Sequence, residues 1–118
     1  MTEIKRGDIW LVGLDPTIGH EIKKSRPAVI IQNDLGNKFS PITIIAPLTS
    51  QKLENVYPME VLITKKNSGL DKDSKALLNQ IRAIDKRRLL KKLGKLDADT
   101  LAKLDEALKI SLGLVQIS

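Results

Sequence analysis

The 118-residue chain contains no cysteine and a single histidine, His20. Disulfides and thiolate metal sites are therefore excluded, as is an imidazole-rich catalytic metal centre. Neither a metal nor a cofactor is expected. Aromatic side chains are limited to Trp10, Phe39 and Tyr57, too few for the base-stacking platforms of RNA-recognition motifs or many oligonucleotide-binding barrels. No apolar run approaches membrane-spanning length, and the start Met1-Thr2-Glu3-Ile4-Lys5-Arg6 lacks the apolar region of a signal peptide. The expectation is one soluble, cytoplasmic domain over residues 1–118, with no membrane contact, internal repeat or linker.

Positive charge is what the chain has in excess. Lys and Arg number 20 against 14 Asp and Glu, a net charge of +6. That balance suits a polyanionic partner, which would be held by charge and polar contacts, since stacking surfaces are lacking. The densest basic region, Arg82, Lys86, Arg87, Arg88, Lys91, Lys92 and Lys95, is read as a solvated helical face rather than an RNA-binding surface.

Apolar patterning predicts short strands followed by one helix. In residues 8–14, Trp10, Val12 and Leu14 alternate with Ile9 and Leu11, and Asp15-Pro16 ends the strand. Residues 28–31 and 42–46 are unbroken runs rich in β-branched residues, the second stopped by Pro47. Between them Asn33-Asp34-Leu35-Gly36-Asn37 reads as a loop dense in turn formers. Residues 59–63 alternate as a further strand. Residues 76–84 are ambiguous, because Leu77, Leu78, Ile81 and Ile84 have helical spacing. At the end, Asp97 can cap a helix with the stripe Leu101, Leu104, Leu108 and Leu112, Gly113 lying near its terminus. The expected class is mainly β with a C-terminal helix, a small barrel or curled sheet carrying that helix on one side.

One stretch organises the rest, Ser25-Arg26-Pro27-Ala28-Val29-Ile30-Ile31. Proline cannot donate to a ladder and belongs at the start of such a strand; it also holds the preceding residue extended. Arg26 is thus a permanently charged group on a rigid element, suited to phosphate. Read alone, the stretch fits better an arginine paired with a surface carboxylate at a strand end. A second strand-end residue, Thr49, follows Ala46-Pro47-Leu48. If the two strands are antiparallel neighbours, a guanidinium and a hydroxyl project at one rim and together fit a scissile phosphate.

At these residues the sequence resembles the MazF/PemK toxins of bacterial type II toxin–antitoxin systems. The matching segments are Lys5-Arg6-Gly7-Asp8-Ile9-Trp10, Leu14-Asp15-Pro16 with Gly19 and Glu21, residues 26–34, Ser40-Pro41, Ala46-Pro47-Leu48-Thr49, Asn79-Gln80-Ile81-Arg82-Ala83-Ile84-Asp85-Lys86 and Leu104-Asp105-Glu106-Ala107-Leu108. They run in the family's order along nearly the whole chain. The resemblance implies a homodimeric SH3-like small barrel of the MazF/CcdB type and metal-independent, sequence-specific cleavage of single-stranded RNA, chiefly mRNA. It also implies inhibition of translation and growth, a cognate MazE-like antitoxin that blocks the RNA groove, and operator DNA as a partner of the toxin–antitoxin complex. It makes residues 76–84 a strand, against their periodicity.

Without a metal, RNA is most readily cut by its own 2′-hydroxyl attacking the adjacent phosphorus. Arg26 suits stabilisation of the charge developing on the non-bridging oxygens, and is a poor base because it does not deprotonate. The resemblance makes Thr49 the second catalytic residue, orienting the 2′-hydroxyl or the phosphate. Two readings stay open for Glu21, a catalytic carboxylate or one that pairs with Arg26 or Lys24 and orients it. His20, where the family usually has a small residue, is either a base or acid poised near neutral pH or a solvated loop side chain. Candidate RNA contacts are Gly19, Lys23, Lys24, Ser25, Ser50 and Gln80, with Gln80 read as a buried amide supporting the site. Trp10 reads as core or dimer interface. Two rivals remain: a gyrase-poisoning toxin of the same fold (CcdB-like), not expected to carry Arg26-Pro27 with Leu48-Thr49, and a catalytically silent DNA-binding relative.

Overall fold

A computed structural model describes residues 3–14 and 25–116. Seven strands form one antiparallel sheet: β1 Asp8–Gly13, β2 Ser25–Ile30, β3 Ile42–Thr49, β4 Glu60–Ile63, β5 Ser74–Leu77, β6 Arg82–Asp85 and β7 Leu89–Lys95. Two helices, α1 Asp34–Phe39 and α2 Ala98–Ser111, complete the frame. The strand order is β4-β5-β3-β2-β1-β7, with β6 paired to β3 off that path. β3 is the pivot. Its first half pairs with β6 and its middle with β2, while Leu48 and Thr49 pair with β5.

The alternation predicted for β1, together with the apolar run of β2, sorts side chains into two cores, one on each face of the sheet. Ile9, Val29, Ala46 and Leu48 join Leu104 and Ala107 of α2 in one cluster. Trp10, Val12, Ala28, Ile30, Ile45 and Ile84 form the other. The sheet curls into a small barrel that closes by backbone contact. A Cβ on Gly69, whose φ is +85°, would lie 1.9 Å from the Leu93 carbonyl oxygen, and one on Gly94 would lie 2.0 Å from that of Ser68. Only glycine admits that approach, and it presses the turn after β4 onto β7.

Several expectations change here. Pro47 does not stop its strand; β3 runs through it to Thr49, because only donation is lost and Pro47 still sits opposite Ala28. The turn-forming stretch after β2 is a short helix, α1. Asn33 caps it through the Gly36 N–H at 2.8 Å, and buried Asn37 ties it to the sheet by accepting from the Thr43 hydroxyl at 2.7 Å. Residues 76–84 are extended, as the resemblance implied, but a one-turn 3-10 helix at Leu78–Gln80 breaks them into β5 and β6. The basic run is not a helix. It lies on β6, a 3-10 turn at Lys86–Arg88 and β7, so tertiary pairing overrides its helical look.

The C-terminal helix matches its prediction at the cap, where the Asp97 carboxylate accepts the Thr100 N–H at 2.7 Å. Leu104 is fully buried, Leu101 and Leu108 pack against the core, and Leu112 is exposed. Leu112 is the C-cap, beyond the last helical turn. There the Leu114 and Gly113 N–H groups reach the carbonyls of Lys109 and Ile110 in a Schellman arrangement. Trp10 is core, only 6% exposed. No helix among the described residues is long and apolar enough to cross a membrane.

Candidate active site

β2 starts at Ser25, opposite Gly13 of β1, with Arg26 opposite Val12. Its pairing with β3 begins only at Ala28–Pro47. Continued outward, the same register sets Arg26 across from Thr49. There, however, β3 has turned away to pair Thr49 with Lys75 of β5. Neither Pro27 nor Pro47 has an N–H with which to extend the β2–β3 ladder. The sheet therefore splits at this rim, and Arg26 and Thr49 stand on its two lips rather than paired across a ladder.

Both residues line an open cleft of about 890 Å³. Ser25, Ser50 and Gln51 share its rim, while Lys72, Lys91 and Lys92 come from the turn after β4 and from β7. The barrel closure at Gly69 and Gly94 is what brings that second wall into place. The lining holds four cations, Arg26, Lys72, Lys91 and Lys92, of which Lys92 is paired with buried Asp8, and one carboxylate, Asp71. A cleft with that imbalance focuses positive potential on a polyanion. Thr49 is half-buried. Its Oγ1 accepts the Gln51 N–H at 3.2 Å, which leaves the hydroxyl proton to donate. Buried Asp8 accepts the Lys5 N–H at 2.9 Å and lies 3.4 Å from Lys92 Nζ, so one cleft lysine is steadied from beneath.

Of the sequence-predicted residues, Arg26, Thr49, Ser25 and Ser50 come together. Gln80 does not. It is exposed on the 3-10 turn between β5 and β6 and does not line the cleft, because that turn rotates it out of the strand pattern that suggested a buried amide. Gly19, His20, Glu21, Lys23 and Lys24 lie outside the described residues. Lys91 and Lys92 were visible only as members of a basic run, and reading that run as a helix hid their place beside Arg26. Among the described residues no group of three metal-ligating side chains stands together.

Residues 5–112 match the family described as PemK-like, MazF-like toxin of type II toxin–antitoxin system. The chain is 46% identical over 112 residues to the Bacillus subtilis (strain 168) protein named Endoribonuclease EndoA, covering 95% of this chain and 97% of that one. It superimposes on the MazE–MazF structure (Form-II) from Deinococcus radiodurans with a TM-score of 0.81 at 25% identity, covering 98% of this chain and 100% of that one. An endoribonuclease from a mycobacterial species has the same fold, with a TM-score of 0.80 at 21% identity over 99% of this chain and 98% of that one.

Proposed function

We propose that this chain, which belongs to the PemK-like, MazF-like toxins of type II toxin–antitoxin systems, cuts single-stranded RNA in the Arg26–Thr49 cleft without a metal. The observation that carries this reading is the split rim, where a guanidinium and a hydroxyl share one basic cleft. The relative named an endoribonuclease supports it.

In the proposed reaction a ribose 2′-oxygen attacks the adjacent phosphorus. The 2′-O–P bond forms, the P–O5′ bond breaks, the 2′-proton leaves and the departing 5′-oxygen gains one. Arg26 donates to the non-bridging oxygens as their charge grows, acting from a strand whose following residues, Ala28 to Ile30, are fully buried. Thr49 donates to the same phosphate or holds the 2′-hydroxyl. Lys72, Lys91 and Lys92 neutralise neighbouring phosphates. Glu21 is the candidate for the proton transfer, with His20 the alternative, and Gly19, Lys23 and Lys24 are further RNA contacts.

The partners in this reading are mRNA in the cytoplasm, a second copy of the chain and a MazE-like antitoxin, with operator DNA met by the toxin–antitoxin complex. The Deinococcus structure, titled as MazE–MazF, supports the antitoxin partner. Exposed apolar side chains at Leu35, Phe39, Leu112 and Leu114 support association with other chains. The test is a mixed RNA pool incubated with the protein in excess EDTA, followed by sequencing of the fragment ends. Cleavage at a short consensus, lost in Arg26→Ala, is expected. Intact RNA at enzyme excess would sink the reading and favour gyrase binding. A requirement for magnesium would sink the mechanism alone.

A further inference from the structure

Lys75 is a charged residue in the middle of a strand whose four positions are all buried. Its side chain is 6% exposed and that of its partner Glu60 is 11% exposed. All three ammonium protons find acceptors: the Lys52 carbonyl at 3.1 Å, the Asn55 carbonyl at 2.8 Å and Glu60 Oε1 at 2.9 Å. Glu60 in turn accepts the Tyr57 N–H at 3.1 Å. The segment joining β3 to β4, residues 50–59, is thus drawn inward at three points along its length. Lys52 holds a φ of +55°, a left-handed conformation uncommon for a lysine, and its carbonyl is one of those bound. Burial works to raise the Glu60 carboxyl, yet the bonds from Lys75 and the Tyr57 N–H outweigh it and leave the group below the usual carboxylate range.

This clamp lies directly behind the catalytic rim. Thr49 is opposite Lys75 in the β3–β5 ladder, and Ser50 and Gln51, the first residues of the clamped segment, line the cleft. Single-stranded RNA is read by polar groups that meet base edges at fixed places, so a wall that reads bases needs a fixed backbone. We propose that the Lys75–Glu60 pair is a positioning device that holds residues 50–59 in one pose and thereby sets which RNA sequence the cleft accepts. The inference rests on the nuclease reading for its functional half only. Its structural half, a segment held by Lys75, stands without it.

The test compares the unmodified chain with Lys75→Met and with the double variant Lys75→Met/Glu60→Gln. The double variant removes both charges and so avoids stranding a buried carboxylate, which guards against simple misfolding. Two readouts are taken on folded protein, backbone hydrogen exchange over residues 50–59 and the cut-site consensus from fragment-end sequencing. Faster exchange confined to that segment is expected, with a broadened or shifted consensus and a kcat/KM for the original site lower by roughly 10- to 100-fold, mostly through KM. Lys75→Arg, which keeps charge and donors, is expected to recover part of the consensus. A folded double variant with unchanged exchange and unchanged consensus would overturn the proposal. Loosened exchange with an unchanged consensus would overturn its functional half. Absence of cleavage by the unmodified chain would count against the nuclease reading, while the exchange rates would still decide whether Lys75 holds the segment.

Discussion

One arginine lies at each end of β2, Arg6 reaching it from the segment before β1 and Arg26 within it, and their surroundings are opposite. Beyond the C-terminal end, Arg6 is enclosed in structure. Its Nε donates to the Ile31 carbonyl at 2.9 Å, its Nη2 to Asp105 of α2 at 2.6 Å, and its backbone N–H to Asp34 at 2.7 Å. At the N-terminal end, Arg26 lines a cleft, and among the described residues no carboxylate pairs with it. The first end is closed by α1, α2 and continuous ladders; the second is opened by two prolines. Arg6 is thus held by acceptors within the frame, whereas Arg26 stands where two prolines interrupt the β2–β3 ladder.

The largest expected effect tests the open end. Arg26→Ala should lower RNA cleavage by about 100- to 1000-fold, the scale for one oriented donor to a developing oxyanion, with little change in the urea midpoint. Full activity in a folded Arg26→Ala protein would remove the comparison altogether. The closing contact comes next. Gly69→Ala should destabilise the chain by about 3 kcal/mol, since the backbone at β7 must shift to admit a Cβ, and cleavage should fall as Lys91 and Lys92 move from Arg26; urea unfolding with parallel cleavage assays checks both. Arg6→Ala should give the converse of Arg26→Ala, a stability loss of about 1–3 kcal/mol with cleavage per folded molecule retained. A cleavage loss as large as that of Arg26→Ala would blur the two roles.

Smaller effects sharpen the picture of the cleft. Lys72→Ala and Lys91→Ala should each flatten the dependence of log affinity on log salt for an uncleavable single-stranded RNA by about 0.7. Acid should loosen the segment behind Thr49. The Glu60 carboxyl is held below its unfolded value, so the stability it contributes is complete above the ordinary glutamate value of about 4.3. That contribution is lost as pH falls through the lower folded value. Unfolding titrations should show Glu60→Gln losing less stability than the parent over that acid range.

Much of this was legible because local chemistry and tertiary structure agreed. The alternation in residues 8–14, the apolar run after Pro27 and the Asp97 cap each became the element they predicted. The rim pair was legible because Arg26 precedes one apolar run and Thr49 follows another; that β3 continues through Pro47 was not. Where local and long-range preferences conflicted, pairing won. Leu77, Leu78 and Ile84 have helical spacing but lie in extended or 3-10 backbone against β3 and β4. The run from Arg82 to Lys95 looked like a solvated helix and instead forms β6, a 3-10 turn and β7, of which Lys91 and Lys92 line the cleft.

The sequence by itself determined the strand-rich class, the C-terminal helix and the two residues at the split rim, because periodicity, capping and the missing proline N–H are properties of neighbours in the chain. Only the tertiary structure decided which lysines face Arg26, that Gln80 turns outward and that Lys75 is buried against Glu60. Those facts depend on register between distant strands and on the glycine-to-backbone contact that closes the barrel, neither of which any single segment encodes.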